Sequence, residues 1–109
     1  MCVFCKIVAG EIPSNVLYED ENIIVIPDIN PEAPVHLLLI PKLHLDNIME
    51  ISPELAGNIF SKIREIAKKF NIEENGFRIV INTGKDCGQT VEHLHIHLLA
   101  GRELLWPAG

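Results

Sequence analysis

The sequence predicts an α+β fold: a mostly antiparallel sheet of five strands with one long helix and short helical turns. Stretches with the pattern of strands lie before and after a single long helical pattern, and the connections between them are mostly short. Antiparallel pairing suits such short connections. At 109 residues, the chain is long enough for one buried core and too short for two, so a single domain is expected over residues 1–109.

Short elements, each bounded by turn-forming residues, fill the first half of the chain. They are two helical turns, expected over residues 4–8 and 46–50, and three strands, expected over 15–19, 22–27 and 36–40. The third of these strands is a continuous apolar run, as expected where both faces of a strand are covered. Gly10 is expected to end the first helical turn.

One long helix begins at Ser52, which is a good N-cap. Pro53 follows at the first helical position, where a missing N–H costs little. Apolar side chains then recur at intervals of three or four residues and form one helical face. These residues are Leu55, Ile59, Ile63, Ile66 and Phe70. The helix is expected to end near Asn71.

A run of alternating histidines is the strongest functional signal in the chain. After a fourth strand over residues 77–82, the fifth strand is expected over residues 93–99. Successive side chains of a strand point to opposite faces, so the histidines share one face and apolar residues share the other. The two sets are His93, His95 and His97, and Leu94, Ile96 and Leu98. Imidazole suits nucleophilic and proton-transfer chemistry near neutral pH.

The three histidines fit a single metal site badly. The outer two lie about 13 Å apart along a strand, whereas zinc needs nitrogen atoms about 2.0–2.1 Å from the ion in a tetrahedral array. We therefore expect the three side chains to have separate roles. The alternative is a hydrogen-bonded structural row.

The loop over residues 82–91 precedes the histidine strand and has features that suit phosphate. Gly84 and Gly88 allow the backbone to approach a ligand closely. Backbone N–H groups, the Thr90 hydroxyl and the Gln89 amide offer hydrogen bonds to phosphate oxygens. A loop of this kind is often a simple turn, so its position directly before the histidines is what favours binding.

Composition limits the class of partner. The formal net charge of −6 disfavours broad binding to a nucleic-acid backbone, which requires a basic surface, but it allows one nucleotide in a local pocket. The apolar runs are far shorter than the roughly 20 residues that span a bilayer, and no signal peptide is recognisable. A cytoplasmic protein without membrane contact is therefore expected. Its three cysteines are not expected to pair in a reducing compartment.

These motifs resemble those of the histidine triad (HIT) family of nucleotide hydrolases and transferases. Residues 93–99 match the family pattern of three histidines separated by apolar residues throughout. The ending, residues 101–109, is similar to that of the Hint-type nucleoside phosphoramidases. Thr90 is closer to the Fhit-type diadenosine polyphosphate hydrolases, and His97 is a glutamine in the nucleotidylyltransferase branch, which favours hydrolysis over transfer. The resemblance covers nearly the whole chain and includes residues 4–7, 10–13, 28–29, 33–34, 36, 40–42, 88–90 and 106–109.

The resemblance implies catalytic roles for four residues. His95 would attack the α-phosphate of a nucleotide and form a covalent nucleotidyl-histidine intermediate, which water then hydrolyses. A backbone carbonyl that accepts from its other nitrogen would fix the reactive tautomer. His97 would contact the phosphate or protonate the leaving group, and Thr90 would hydrogen-bond the leaving group or a phosphate oxygen. His36 would support the triad from behind, although it can equally be only a histidine that opens a buried strand.

A wider set of residues is implied in nucleotide binding. Asp28 would bind the ribose hydroxyls, although the residues that follow it also favour a simple turn. Asn82 and Gln89 would orient the phosphate beside Gly88. An apolar slot would receive the base of a purine nucleotide of the AMP or GMP type. The slot residues are Phe4, Ile7, Ile12 and Ile29, which the sequence alone would assign to the core.

The first residues carry a candidate metal site. Cys2 and Cys5 have the spacing of half a zinc site. Some HIT proteins, mainly microbial, close such a site with the histidine after a Pro-Lys pair and with the first triad histidine, which here are His44 and His93. The resemblance thus implies a structural zinc, which would add to folding stability, and no organic cofactor. A redox pair or two buried thiols are the alternatives, and Cys87 would be a free thiol.

The expected function is therefore hydrolysis of a phosphoramidate or phosphoanhydride bond at the α-phosphate of a nucleotide, as in the nucleoside phosphoramidases. Three alternatives stay open: a Fhit-like dinucleoside polyphosphate hydrolase, a non-catalytic nucleotide-binding or scaffolding module, and a histidine-ligated metalloenzyme. The resemblance also implies a homodimer.

Overall fold

The computed structural model describes residues 1–109 and confirms the predicted α+β class. Two turns of 3-10 helix, Ile48–Glu50 and Lys85–Cys87, accompany the longer elements. No helix combines the length and the apolar character needed to cross a membrane. In chain order the helices and strands are α1 Val3–Val8, β1 Tyr18–Glu19, β2 Ile23–Pro27, β3 Val35–Pro41, α2 Pro53–Lys69, β4 Phe77–Val80 and β5 Ile96–Ala100.

All five strands form one antiparallel sheet in the order β1-β2-β3-β5-β4. The central strand, β3, is covered on both faces, as its continuous apolar run predicts. Leu37 and Leu39 belong to the larger of two apolar cores, whereas Leu38 and Ile40 belong to the smaller one. The sheet therefore separates two apolar layers, and different parts of the chain pack in each.

The larger core lies between α2 and the sheet. The predicted apolar face of α2 supplies Ile59, Ile63 and Ile66, each at most 3% exposed. Full burial of such side chains stabilises the fold by about 1.5–3 kcal/mol each. The helix begins as predicted, because the Ser52 hydroxyl accepts a hydrogen bond from the Leu55 N–H at 3.1 Å. This layer holds the sheet rigid and carries none of the predicted functional side chains.

The smaller core lies on the opposite face, where α1 packs and where the histidines point. Phe4 of α1 is buried in this core, and its ring meets those of His93 and His95 edge-on. Leu94 and Ile96 lie in the larger core instead. The predicted alternation of histidine and apolar side chains between two faces is therefore confirmed.

The regular part of the histidine strand begins later than predicted. The ladder between β5 and β3 starts at Ile96 rather than at His93, because β3 ends at Pro41. The Leu94 N–H donates instead to the Leu45 carbonyl at 2.7 Å, in the segment that follows β3. His93 and His95 therefore lie at the point where the chain enters the sheet, not within it.

Other predicted boundaries shift by a few residues. The first strand is only Tyr18–Glu19, because its partner β2 pairs with it at just two positions. The fourth strand ends at Val80, and Asn82 belongs to the loop that follows. The long helix ends at Lys69, and Asn71 takes the left-handed conformation (φ 56°) just beyond it, near the predicted end.

Candidate functional site

A cavity of about 480 Å³ opens beside α1, the end of β2 and the loop that precedes β5. This volume lies within the range of small-molecule sites. All the predicted nucleotide-binding residues line the cavity except Gln89. Its lining combines apolar side chains with a smaller polar set, which consists of Ser14, Asp28, Asn82, Thr90, His95 and His97.

The apolar lining differs from a simple core. Phe4 is buried, but Ile7 and Ile12 are partly exposed, and Ile29 is 92% exposed at the rim. The assignment of Ile29 to the core, which the sequence alone favoured, is therefore wrong, because β2 has already ended at Pro27. Sequence reasoning also missed several lining residues that carry no distinguishing pattern: Val3, Pro13, Ser14, Ile26, Pro27, Leu38 and Val91.

His95 lines the cavity with one ring nitrogen already engaged. Its Nδ1 lies 2.7 Å from the backbone oxygen of His93. A carbonyl oxygen only accepts hydrogen bonds, so Nδ1 carries the proton and Nε2 keeps its lone pair. Only 8% of His95 is exposed, yet the ring lines open space rather than lying under aliphatic side chains. In the neutral form of the ring the lone pair is therefore on Nε2, the nitrogen that the carbonyl leaves free to act as a nucleophile.

Asp28, His36 and His97 form a second polar group beside the cavity, which we call the relay cluster. The Glu32 N–H donates to His36 Nδ1 at 3.0 Å, so the His36 proton lies on Nε2. That nitrogen is 2.9 Å from His97 Nδ1 and 3.3 Å from Asp28 Oδ2. His36 therefore donates to His97, whose Nε2–H is left as a donor toward the cavity.

The environment of His97 keeps its ring neutral. Burial lowers the pKa of His97 below 6.5, and the nearby His95 and His36 rings lower this pKa further, against the opposing effect of Asp28. At neutral pH the residue thus offers a hydrogen bond rather than a full positive charge.

Asp28 makes a turn contact and also lines the cavity. Its Oδ1 accepts a hydrogen bond from the Asn30 N–H at 2.8 Å, which is the turn contact that the sequence suggested. Its Oδ2 faces His36, and the residue also lines the cavity. The contact between Asp28 and His36 was not predicted; the two residues lie opposite each other just beyond the last paired positions of β2 and β3, where the Asp28 N–H donates to the His36 carbonyl at 2.9 Å.

The structure does not bring Gln89 into the cavity, contrary to prediction. Its Oε1 accepts from the Gly84 N–H at 2.9 Å, and its Nε2 donates to the backbone oxygens of Asp46 at 2.6 Å and Val91 at 3.0 Å. Because these backbone groups occupy the amide, its side chain is not available to orient a phosphate. Gly88 and Thr90, on either side of it, do line the cavity.

Four residues predicted as metal ligands converge near the start of α1 into what we call the metal cluster. Its members are Cys2, Cys5, His44 and His93, and one ligand atom from each lies within 4.8 Å of the others. The distance between His44 Nδ1 and His93 Nδ1 is 3.1 Å, and the four sulfur–nitrogen distances run from 3.2 to 3.7 Å. Tetrahedral ligands at ordinary zinc distances lie about 3.3 Å apart for two nitrogens and about 3.5 Å apart for nitrogen and sulfur. The donor set and its spacing therefore fit zinc.

Both histidines of the metal cluster have their far nitrogen bonded to an oxygen acceptor. His93 Nε2 lies 2.8 Å from the Pro41 carbonyl, and His44 Nε2 lies 3.0 Å from Asp46 Oδ1. Each Nε2 then carries the proton, and each Nδ1 directs a lone pair into the cluster. Asp46 was missed by sequence reasoning, although a carboxylate two residues after a ligand histidine is a usable signal.

The two cysteine thiols of the metal cluster have pKa shifts of opposite direction. Burial raises the pKa of Cys2, but hydrogen bonds with Cys5 and His44 outweigh this and lower it, which favours the thiolate. Burial and the neighbouring Cys2 raise the pKa of Cys5, because two thiolates side by side repel each other. A divalent cation between them removes that repulsion.

The relay cluster also has closely spaced ligand atoms, but its hydrogen bonds do not fit a metal. Its ligand atoms also lie within 4.8 Å of one another. A metal on His36 Nε2 would displace the proton to Nδ1, where it would meet the N–H of Glu32, which already donates there. The relay cluster is therefore built to pass hydrogen bonds, not to hold a cation.

Comparisons with known proteins agree with the predicted resemblance. The model of the HIT domain family matches residues 9–104. Protein HitA of Neisseria gonorrhoeae is 50% identical over 101 residues, which cover 90% of this chain and 94% of that protein. A 14 kDa zinc-binding protein of Zea mays is 43% identical over 98% of this chain and 87% of its own length. The crystal structure of a HIT family hydrolase from Legionella pneumophila superposes with a TM-score of 0.96, at 45% identity and full coverage of both chains.

Proposed function

Because the chain belongs to the HIT domain family and has the fold of a HIT family hydrolase, we propose that it hydrolyses nucleotides at the α-phosphate. The bond cleaved would be a phosphoramidate or a phosphoanhydride. The single observation that carries this proposal is the bond from His95 Nδ1 to the His93 carbonyl, since it directs a free Nε2 lone pair into a cavity of suitable size for a mononucleotide.

The reaction follows from that tautomer in two steps. His95 Nε2 attacks the α-phosphorus, a nitrogen–phosphorus bond forms, and the bond to the leaving amine or phosphate breaks. The leaving amine or phosphate takes its proton from solvent water, and we assign the His97 Nε2–H and the Thr90 hydroxyl as the hydrogen-bond donors that stabilise it as the bond breaks. Water then attacks the same phosphorus, returns one proton to the solvent, releases the nucleoside monophosphate and restores the neutral His95.

Charge on the phosphate would be met by neutral donors. The His97 Nε2–H and the Thr90 hydroxyl lie beside the polar part of the cavity. Donors already aimed at the position where charge develops need no reorganisation during the step. Asn82 adds a side-chain amide to this set.

The nucleoside would occupy the apolar part of the cavity. Phe4, Ile7, Ile12 and Ile29 would enclose the base, and Asp28 would accept hydrogen bonds from the ribose hydroxyls with the lone pairs that Asn30 and His36 leave free. An apolar slot reads base identity weakly, so we expect only a slight preference among purines.

We assign the metal cluster as a structural zinc site. Cys2, Cys5, His44 and His93 would supply four protein ligands, which leaves no open coordination position for a substrate. The zinc ion would neutralise the thiolates and tie α1 to the segment that follows β3. From the family resemblance we also propose that the protein has no organic cofactor, takes a nucleotide as its small-molecule partner and forms a homodimer.

The proposed function is tested by single-turnover chemistry with a labelled adenosine phosphoramidate. The native protein should release AMP, and denaturation at alkaline pH, at which a histidine–phosphorus bond survives, should trap label on the chain. His95→Ala should abolish both while AMP binding, followed by calorimetry, stays measurable. Asp86→Ala, an exposed change in the same loop, is the matched control and should react normally.

Two outcomes would redirect the proposal. Normal turnover by His95→Ala would show that the nucleophile is misassigned. AMP binding without turnover by the native protein would favour the non-catalytic module. A parallel assay with diadenosine polyphosphate decides between leaving groups, for which Thr90 favours the Fhit-like preference and the chain ending favours the phosphoramidate.

A further inference from the structure

Gln89 lies outside the cavity, yet its side chain makes three hydrogen bonds, all with backbone groups. Two of these bonds, with Gly84 and Val91, lie within the loop of residues 82–91. The third runs from Nε2 to the Asp46 carbonyl at 2.6 Å and leaves the loop. A glutamine that satisfies both its acceptor and its donors in this way is held in one orientation.

The bond to Asp46 is the only hydrogen bond that ties this loop to the rest of the chain. The other two backbone bonds of the loop, from the N–H groups of Gly88 and Gln89, end on Lys85 and Gly84 within it. The loop is exposed along most of its length, and Gly84 and Gly88 have positive φ angles, which place few limits on its backbone. Apart from Val91, which packs against the smaller core, this segment is tied to the rest of the chain by the Gln89 amide.

Asp46, at the other end of this bond, contacts the metal cluster. The Asp46 carboxylate receives the Nε2–H of His44, and the next residue back, Leu45, accepts from the Leu94 N–H between His93 and His95. A metal ion that fixes the position of His44 therefore also fixes Asp46, and the Asp46 carbonyl accepts the hydrogen bond from Gln89. The connection from the metal cluster to Thr90 thus consists of two hydrogen bonds, from His44 to Asp46 and from Gln89 to Asp46, followed by the peptide bond between Gln89 and Thr90.

We propose that Gln89 is a positioning residue that couples metal binding at the metal cluster to phosphate binding at the loop. The coupling rests on the proposed function in one respect: it assumes that the loop of residues 82–91 forms the side of the cavity that binds phosphate. By thermodynamic linkage, zinc must then raise the affinity for AMP and AMP must raise the affinity for zinc by the same factor.

Gln89→Glu tests the coupling with the least change of shape. The variant keeps an oxygen for the Gly84 N–H but directs a second carboxylate oxygen at the carbonyl of Asp46, so the bond between the segments is lost. Gln89→Ala is the second variant, and Asp86→Ala is the control. AMP affinity is measured by calorimetry with and without zinc, and zinc affinity by chelator competition with and without AMP.

In the native protein and in Asp86→Ala, we expect zinc to tighten AMP binding by at least about fivefold. In both Gln89 variants the factor should fall toward one, while each chain still binds one zinc ion. Amide hydrogen exchange over residues 82–91 should slow on zinc binding in the native protein and not in the variants. If the zinc-free protein does not fold, zinc release from the loaded protein into excess chelator, with and without AMP, gives the same comparison.

Equal AMP affinity of the native protein with and without zinc would overturn the inference. So would a loss of AMP affinity in Gln89→Glu that is the same with and without zinc, because that result describes a loop support independent of the metal. If no form binds AMP, the proposed function fails instead, and the exchange measurement alone decides whether Gln89 transmits zinc binding to the loop.

Discussion

Two clusters flank His95, and the difference between them shows how the partners of a histidine can suit it to bind a metal or to pass on a hydrogen bond. In the metal cluster the far nitrogens of His44 and His93 donate to oxygen atoms, so lone pairs face inward. In the relay cluster the far nitrogen of His36 accepts from a backbone N–H, so a proton faces inward. Both clusters pack their ligand atoms within 4.8 Å, which means that proximity does not distinguish them.

The backbone therefore assigns the chemistry. A carbonyl oxygen and an N–H group are the two ends of the same peptide unit, yet they impose opposite tautomers on an imidazole. His95 follows the first pattern, with its Nδ1 on the His93 carbonyl. It shares with the metal ligands an inward lone pair, which it presents to the cavity rather than to a cation.

The largest effect is expected from breaking the metal cluster. Zinc at about 1,000 times its dissociation constant should stabilise the native protein by about 4 kcal/mol, and Cys5→Ser should lose most of this because one of four ligands is gone. Urea unfolding with and without chelator, together with metal analysis, measures the loss. His36→Gln should keep one zinc per chain, and zinc loss in that variant would show that the two clusters are not separate.

A smaller effect is expected from breaking the relay cluster. His36→Gln leaves the buried partners of His36 without its ring, which should lower the free energy of unfolding by about 1–3 kcal/mol. Turnover should fall roughly 100-fold, within the range for an acid–base group. Ser52→Ala removes the distant helix cap for about 1 kcal/mol and is the control: an equal fall in its turnover would mean that stability alone explains the result.

The pH dependence of stability should distinguish the relay cluster further. Because the pKa of His97 is below 6.5 in the folded protein, the unfolded chain binds more protons below that pH, and the free energy of unfolding falls as the pH drops. At higher pH both states are neutral at this residue and the contribution is fully present. At saturating zinc, His97→Asn should show a shallower decline, by less than about 1.4 kcal/mol per pH unit. Parallel curves would show that His97 does not titrate in this way.

The smallest effect is expected at Phe4, the side chain between the metal cluster and His95. Its ring centre lies 5.9 Å from that of His93 and 5.1 Å from that of His95, and such edge-on pairs contribute about 0.5–1.5 kcal/mol. Phe4→Leu should lower the free energy of unfolding by about 1 kcal/mol in thermal or urea unfolding and retain zinc. Loss of zinc in this variant would mean that α1 depends on Phe4 to present Cys2 and Cys5.

Local patterns alone determined much of this protein. The spacing of Ile59, Ile63 and Ile66 specified α2 and its buried face, and the alternation after His93 specified which side chains share a side of the sheet, because both signals repeat at the period of the backbone itself. The Cys2 and Cys5 spacing indicated half of a metal site. Its other two ligands, and the roles given to His95 and His97, came from the family resemblance rather than from spacing.

Only the tertiary structure decided where the protons lie and which groups reach the cavity. The partner that sets the tautomer of His93, and the bond that holds Gln89 away from the cavity, depend on how the end of β3 and the segment after it meet the chain before β5. His93 and Pro41 are 52 residues apart, and no periodic pattern encodes a contact at that separation. Hydrogen bonds of this kind depend on distances of a few tenths of an ångström, which are set when the layers pack and not when the elements form.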